Sequence, residues 1–164
     1  MNMRVLIGIC LGVVFLVGCD SALVRESSHD TLESARNVVE LHERWIPGFL
    51  PGSVTNVRLR RHLDSGESWL RFDLSAVEAE LISKNGTRLD LDELRLLSVR
   101  QSDQIAWWHP MLQRPNLENA GPSFPFAVFR VNRSLGLEGG KRAVPTAYVA
   151  LDPAGQAYYW QEGS

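Results

Sequence analysis

The chain has 164 residues, with 17 basic and 19 acidic side chains and a formal net charge of −2 when histidine is neutral. This length suits one domain with its own hydrophobic core. The slight acidic excess argues against a nucleic-acid-binding protein. The two cysteines, Cys10 and Cys19, both lie near the N-terminus. The rest of the chain therefore contains no disulfide, no zinc-thiolate site and no catalytic thiol.

The N-terminus has the layout of an export signal. Arg4 gives it a positive start, residues 5–17 are apolar or glycine throughout, and the small residue Gly18 precedes Cys19. A helix of that apolar length reaches only about 20 Å, whereas the hydrocarbon core of a bilayer is about 30 Å thick. The segment therefore favours a cleaved signal over two alternatives, an uncleaved membrane helix and a buried core helix.

Residues Leu16–Cys19, with the sequence LVGC, resemble the lipobox of bacterial lipoproteins. The resemblance implies cleavage before Cys19, a diacylglyceryl group on its sulfur and a third acyl chain on its new amino group. Two or three acyl chains hold a protein at a bilayer far more firmly than one. The next residue, Asp20, resembles the enterobacterial signal for retention in the inner membrane. We therefore expect a lipoprotein that faces the periplasm, with the inner membrane favoured over the outer membrane.

This interpretation divides the chain into three parts. Residues 1–18 are the signal peptide, residues 19–30 are the acylated cysteine and a polar tether, and residues 31–164 are a single globular domain. Cleavage removes Arg4 and leaves 16 basic side chains against the same 19 acidic ones, a net charge of −3. The mature domain carries no motif of a named family and is similar only in general appearance to small lipoproteins of Gram-negative bacteria.

The first element predicted in the mature domain is a helix. Asp30 and Glu33 have the spacing of a capping box. Apolar residues then recur on one side of a helix as far as Trp45, and Pro47 ends it. We expect an ordinary packing helix from about Asp30 to Trp45.

A β-hairpin is predicted next. Apolar and polar residues alternate along 57–63 and again along 70–74, which is the spacing of strands, and residues 64–67 (DSGE) suit a turn. A four-residue loop at 64–67 sets Arg60 opposite Arg71. One face of the hairpin is then apolar and the other is charged, as in an antiparallel pair with one solvated side.

Two helices are predicted to follow the hairpin. Ser75 and Glu78 form a second capping box, and the helix that begins there ends at Asn85–Gly86, two residues that tolerate positive φ. A short helix is expected after a cap at Asp90 or Asp92.

The C-terminal part predicts a long loop and three strands. Prolines punctuate the loop, which has about 14 residues after Pro110. Strands are predicted at Phe126–Val131, Thr146–Leu151 and Gln156–Trp160, and the last two form a hairpin that is apolar on both faces. The fold class is α+β: an antiparallel sheet of four to five strands, with two to three helices packed on one face.

The charged face of the first hairpin is one candidate site. In the predicted register Arg60 faces Arg71, which is destabilising unless an anion lies between them. Arg58 lies on the same face, and anionic lipid headgroups near the anchor are one source of such an anion. The alternative is a solvated face on which Arg58 pairs with Asp73 and Arg71 with Glu67.

The second candidate site comprises Trp107, Trp108 and His109, followed by the proline-rich loop. Tryptophan is enriched at the centres of protein interfaces, and long ordered loops often carry function. These residues therefore suggest a partner-binding surface. The alternative is that both indole rings pack beneath the sheet.

Catalysis has little support in the sequence. None of the metal-protease, nucleophile-elbow or phosphate-loop motifs occurs, so we expect no enzyme activity, no bound metal and no cofactor. The remaining possibility is that His109 meets Asp103 or Glu118 as a general acid–base pair.

The function that these observations favour is a lipid-anchored module that binds an envelope protein, through the region from Trp107 to Pro125. One alternative is a lipoprotein that neutralises a toxin or inhibits an enzyme. A small envelope hydrolase is a third possibility. The partners expected are the membrane, through acylated Cys19, and an envelope protein, but no nucleic acid.

Overall fold

The structure is a computed structural model that describes residues 23–38, 46–97, 99–100, 104–131 and 146–162. The strands in these residues are β1 (Val24–Thr31), β2 (Thr55–His62), β3 (Ser68–Asp73), β4 (Thr87–Arg88), β5 (Ala127–Val131), β6 (Ala147–Leu151) and β7 (Gln156–Gln161). The helices are α1 (Leu32–Val38), α2 (Ala76–Asn85), α3 (Leu91–Arg95) and α4 (Arg114–Glu118). A 3₁₀ turn at Pro110–Leu112 precedes α4.

All seven strands of the described residues belong to one antiparallel sheet, in the order β1-β2-β3-β7-β6-β5-β4. The predicted α+β class is therefore confirmed, but the sheet is larger than the four to five strands expected. Among the helices of the described ranges, none is long and apolar enough to cross a membrane.

Helices lie on both faces of the sheet, so the prediction of helices on one face is wrong. On the first face Leu32 of α1 and Ile82 of α2 pack in one core cluster with β-strand residues such as Phe72. On the second face Leu94 of α3 and Leu117 of α4 pack in another cluster. Both faces need cover because the central strands are apolar on both sides.

The hairpin of β6 and β7 accounts for this two-sided core. All five residues of β6 are buried, and so are all residues of β7 except Gln156. On β7, Tyr159 belongs to the first cluster whereas Tyr158 and Trp160 belong to the second. The predicted hairpin lies inside the sheet, between β3 and β5, which accounts for its two apolar faces, and Val149 lies opposite Tyr159.

The polar tether predicted at residues 19–30 is wrong for residues 24–30, which form most of β1. This strand is antiparallel to β2, with Val24 opposite His62 and Thr31 opposite Thr55. As an edge strand, β1 has one neighbouring strand, and most of its side chains are polar. Its sequence therefore lacks the apolar alternation that indicates a strand.

Helix α1 begins after a cap at Thr31 rather than at Asp30. Thr31 is the last residue of β1 and directly precedes the helix, and its side-chain oxygen accepts a hydrogen bond from the backbone N–H of Ser34 at 3.1 Å. The helix is described as far as Val38. The predicted continuation to Trp45 lies outside the described residues.

The first predicted hairpin is confirmed, with a different register. The backbone N–H of His62 donates to Glu67 O at 3.0 Å, so the four-residue loop runs from Leu63 to Gly66 and closes one residue earlier than predicted. Gly66 has φ +72°, a conformation that glycine adopts without steric cost. Each residue of β2 therefore lies opposite a β3 residue two positions away from the predicted one. Because side chains alternate between faces with a period of two, each side chain keeps its predicted face of the sheet.

The capping box predicted at the start of α2 is confirmed, and Asp90, one of the two caps predicted for the next helix, is also confirmed. Ser75 caps α2 together with Glu78, whose carboxylate accepts from the Ser75 N–H at 2.7 Å. These bonds and one from the Ser53 hydroxyl hold the pKa of Glu78 below its ordinary value; the Ser53 bond is the largest cause. Asp90 caps α3, with Glu93 as the reciprocal partner.

The long loop predicted after Pro110 is wrong. This segment forms the 3₁₀ turn and α4. Pro110 is the first residue of the turn and Pro115 is the second residue of α4. Proline is tolerated in a first helical turn because the N–H that it lacks has no intrahelical partner there.

Helix α2 ends at Asn85–Gly86 as predicted, but Gly86 does not adopt the positive φ that the prediction assumed. Its φ is −98°, in extended backbone. A Cβ atom at this position would lie 2.9 Å from Phe129 Cβ on β5. The glycine is needed because the end of α2 and β5 approach too closely for a side chain.

We therefore expect Gly86→Ala to lower the free energy of unfolding by about 1–3 kcal/mol, since the backbone must shift to relieve the overlap. Urea denaturation followed by circular dichroism measures the change. Gly52→Ala is the matched control, because no atom lies within 4 Å of the added methyl group. Equal stability of the two variants would contradict the close approach.

Candidate anion-binding face

The second face of the sheet is covered over only part of its width. Trp69 of β3 and side chains of β5, β6 and β7 pack with Trp108 and with α3 and α4. Among the described residues, this cluster takes no side chain from β1 or β2. Arg58 is exposed there, and Arg60 and Arg71 are half-buried. We call this uncovered part of the sheet, with its three arginines, the arginine face.

Two like charges lie directly opposite each other on the arginine face. The structure pairs Arg58 of β2 with Arg71 of β3, and Arg60 lies opposite Trp69. The prediction that Arg60 faces Arg71 is thus wrong, because the hairpin loop closes one residue earlier. Side chains directly opposite in an antiparallel pair have Cβ atoms about 4.5–5.5 Å apart, and like charges at that spacing destabilise the pair.

Arg60 already has partners. Its Nη1 lies 3.5 Å from Glu26 Oε2 on β1 and donates to the backbone oxygen of Gln104 at 3.1 Å. The other carboxylate oxygen of Glu26 accepts from Trp107 Nε1 at 2.6 Å. Glu26 therefore joins β1 to the segment that covers the second face, and it neutralises Arg60.

Arg58 and Arg71 are different. Neither forms an ion pair or a hydrogen bond with any residue in the described part of the chain. The pairs expected for a solvated face are not formed: Asp73 accepts from the amide of Asn56 at 2.6 Å, and Glu67 is buried in the hairpin turn at 5 % exposure. Asp73 follows Arg71 by two residues on the same face, so one carboxylate lies at the rim of the arginine pair.

Tyr158 borders the arginine pair on β7, opposite Arg71. Burial raises the pKa of the Tyr158 phenol, and the positive charge of Arg71 opposes that rise in part. The phenol therefore stays protonated at neutral pH, and its hydroxyl donates to Gln156 at 3.1 Å. The face is positive at Arg58 and Arg71 and neutral at this border.

The structure places Trp108 in the core. Its side chain is 3 % exposed, its Nε1 donates to Leu112 O at 3.3 Å, and its ring meets the rings of Tyr158 and Trp160 edge-on at 5.4 and 6.0 Å. A partner cannot contact this indole in the folded chain, so the proposal of Trp108 as a binding residue is wrong. Trp107 is half-buried against it, with ring centroids 6.1 Å apart.

His109 has a structural role at the start of the 3₁₀ turn. Its Nδ1 accepts from the Met111 N–H at 3.2 Å, and its ring lies 4.9 Å from Phe126. The suggested acid–base pair with Glu118 is not formed, because Glu118 binds Arg114 at 2.7 Å. Asp103, the other suggested partner, lies outside the described residues.

A groove of about 440 Å³ lies at the opposite edge of the sheet, beside β4, between α3 and the segment at 121–128. Leu89, Phe126 and Val128 are among the apolar side chains that line it, and Arg88 and Asp90 supply charge. Asp90 already accepts two backbone hydrogen bonds as the cap of α3.

The lipidation and sorting residues predicted from the sequence, Cys19 and Asp20, lie outside the described residues. Comparison of the chain with family models, with curated proteins and with solved structures finds no match. Any assignment of function therefore depends on the arginine face and on the N-terminal sequence.

The alternation of residues in the first hairpin indicates the arginines of this face, whereas nothing in the sequence indicates Glu26. That residue falls in the segment predicted to be a tether, and its role depends on the pairing of β1 with β2. An acidic residue among serines in an apparent linker gives no signal of such a role.

The core position of Trp108 leads to a stability test. We expect Trp108→Ala to lower the free energy of unfolding by roughly 3–5 kcal/mol, as other buried aromatic truncations do. Trp107→Ala is the control, and its loss should be smaller, about 1–2 kcal/mol, since it removes a half-buried ring and one hydrogen bond. Guanidinium denaturation checks both, and a near-neutral Trp108→Ala would refute the core assignment.

Proposed function

We propose that this protein is a lipid-anchored binding module of the bacterial cell envelope, and that its arginine face binds an acidic surface of a partner protein. The observation that carries the proposal is the placement of Arg58 opposite Arg71, with no partner for either guanidinium among the described residues.

The energetics favour an anionic ligand at this position. Each guanidinium has five donors in a planar fork that matches a carboxylate. A carboxylate between Arg58 and Arg71 would replace a repulsion with charge-assisted hydrogen bonds, which are about twice as strong as neutral ones. The backbone of both residues is held in the sheet ladder, so binding does not require that the strands become ordered.

The position of the arginine pair favours a protein partner over lipid headgroups. His62 is the last residue of β2 and lies opposite Val24, the first residue of β1; Arg58 precedes His62 by four residues. Four residues of strand span about 13 Å. The pair therefore lies on a face of the sheet, about 13 Å along the strand from the end at which the proposed tether joins the sheet.

The proposed anchor makes modest affinity sufficient. Cys19 precedes Leu23, the first residue described, by four positions. A module held so close to a bilayer meets other envelope proteins at high effective concentration.

The first test removes the arginine pair. We expect the double variant Arg58→Gln/Arg71→Gln to lose an acidic envelope protein that the wild type captures from detergent-solubilised membranes. Each charge-assisted hydrogen bond contributes about 1.5–3 kcal/mol, so affinity should fall by at least roughly tenfold per arginine. Quantitative mass spectrometry of the captured proteins measures the loss.

Arg95→Gln/Arg114→Gln is the matched control, since it removes the same charge from two arginines that are paired with carboxylates on α3 and α4. Unchanged capture by the Arg58→Gln/Arg71→Gln variant would exclude the arginine pair as the binding site. Loss of adsorption to anionic vesicles, with protein capture intact, would assign the pair to lipid instead.

The second test addresses the anchor. We expect Cys19→Ser either to release the protein into the soluble fraction or to leave it as an unprocessed precursor, because no sulfur remains for the acyl chains. Fractionation and the apparent mass of the product measure this. A variant that is processed and retained at the membrane like the wild type would contradict lipidation at Cys19.

A further inference from the structure

We infer that the end of the sheet formed by Leu23 and the β2–β3 loop is a membrane-contact surface that inserts two leucines at the bilayer interface. This inference rests on the proposed anchoring through Cys19. It adds an orientation for the domain, which an acyl anchor alone does not impose.

Two exposed leucines adjoin at this end. Leu23, immediately before β1, is 42 % exposed, and Leu63, immediately after β2, is 40 % exposed. The backbone N–H of Leu63 donates to Leu23 O at 2.8 Å. The two residues therefore hold each other in place, and their side chains make one small apolar tip.

The length of chain before the tip brings it to the membrane. Four residue steps separate Cys19 from Leu23, and an extended chain covers at most about 3.6 Å per step, or roughly 14 Å in all. The headgroup layer of one leaflet is about 5–8 Å thick. Once the acyl chains of Cys19 lie in the hydrocarbon core, Leu23 lies either within the headgroup layer or at most about 9 Å outside it.

Charged groups of both signs lie near the tip. Arg25 lies opposite Arg61 two rungs along β1 and β2 from the tip, beyond the pair of Val24 and His62. The exposed carboxylate of Asp64 is bound by His62 at 2.9 Å, and that hydrogen bond is the largest cause that holds the pKa of Asp64 below its ordinary value. Glu67 in the same turn is buried and does not present its carboxylate to the outside.

The argument from chain length does not apply to the other exposed apolar side chains. Leu96 after α3 and the pair of Val77 and Leu81 on α2 are more exposed than the tip. Nothing in the structure indicates what would cover them. The Leu23–Leu63 tip alone among these lies a short, fixed length of chain from the proposed acyl anchor.

The contact defines how the domain stands on the membrane. The strands rise from the tip, and the β6–β7 turn at 152–155 lies at the opposite end, since Asp73 of β3 pairs with Gln156. The arginine face then lies along the side of the sheet, where a neighbouring protein can reach it.

The chain allows a direct test by fluorescence. The wild type has two cysteines, Cys10 and Cys19; cleavage removes the first and the proposed lipidation blocks the second. Leu63→Cys and Ala154→Cys in the full chain each introduce one reactive thiol, at opposite ends of the sheet. Both proteins are purified after export, labelled with the dye NBD and reconstituted into vesicles of phosphatidylethanolamine and phosphatidylglycerol that contain lipids with doxyl quenchers.

We expect the label at position 63 to emit at shorter wavelength and to be quenched at least threefold more strongly than the label at position 154. Equal quenching at the two positions, or none at either, would overturn the membrane contact while leaving the anchor intact. Labelling of the wild type itself would show a free thiol at Cys19 and would overturn the anchoring, and with it the contact. Matching circular dichroism spectra establish that both variants are folded.

Discussion

The two-sided packing of the β6–β7 hairpin is the constraint on which the rest of the structure depends. Tyr159 on one face and Tyr158 and Trp160 on the other are large, buried side chains of adjacent residues. Burial of each such ring stabilises the fold by several kcal/mol, and exposure of either face to water would remove that stabilisation. Separate helical segments therefore cover the two faces, and β7 and β6 lie inside the sheet.

The arginine face is a consequence of this arrangement. The segment between β4 and β5 covers β5, β6 and β7 and reaches Trp69 on β3. The row of side chains through Trp69 marks where the cover ends. Arg58 and Arg71 remain outside it, on strands whose other face packs Val57, Leu59, Leu70 and Phe72 into the first core cluster. An antiparallel strand that is solvated on one face can carry charge there, and here the two adjacent strands carry the same sign.

The parts of the fold that were predictable are those whose signal is local. The capping boxes at Ser75 and Asp90 and the hairpins follow from nearby residues, since caps and alternation are short-range. Edge strand β1 was not predictable, because its side chains are polar and its only reason to be extended is a partner about 30 residues away. The same holds for the helices on two faces, which follow from the need of β6 and β7 for cover and not from the helices' own sequences.

The candidate site was predictable in its residues but not in its pairing. A loop that closes one residue earlier moves the register by two, which keeps every side chain on its face and changes every partner. Arg60 thereby moves away from Arg71. The separate pairing of β2 with β1 sets Arg60 opposite Glu26, which Trp107 also binds. That carboxylate is then committed to Arg60, and Asp73 is held by Asn56, so the strand register is what leaves Arg58 and Arg71 as the pair open to an external anion.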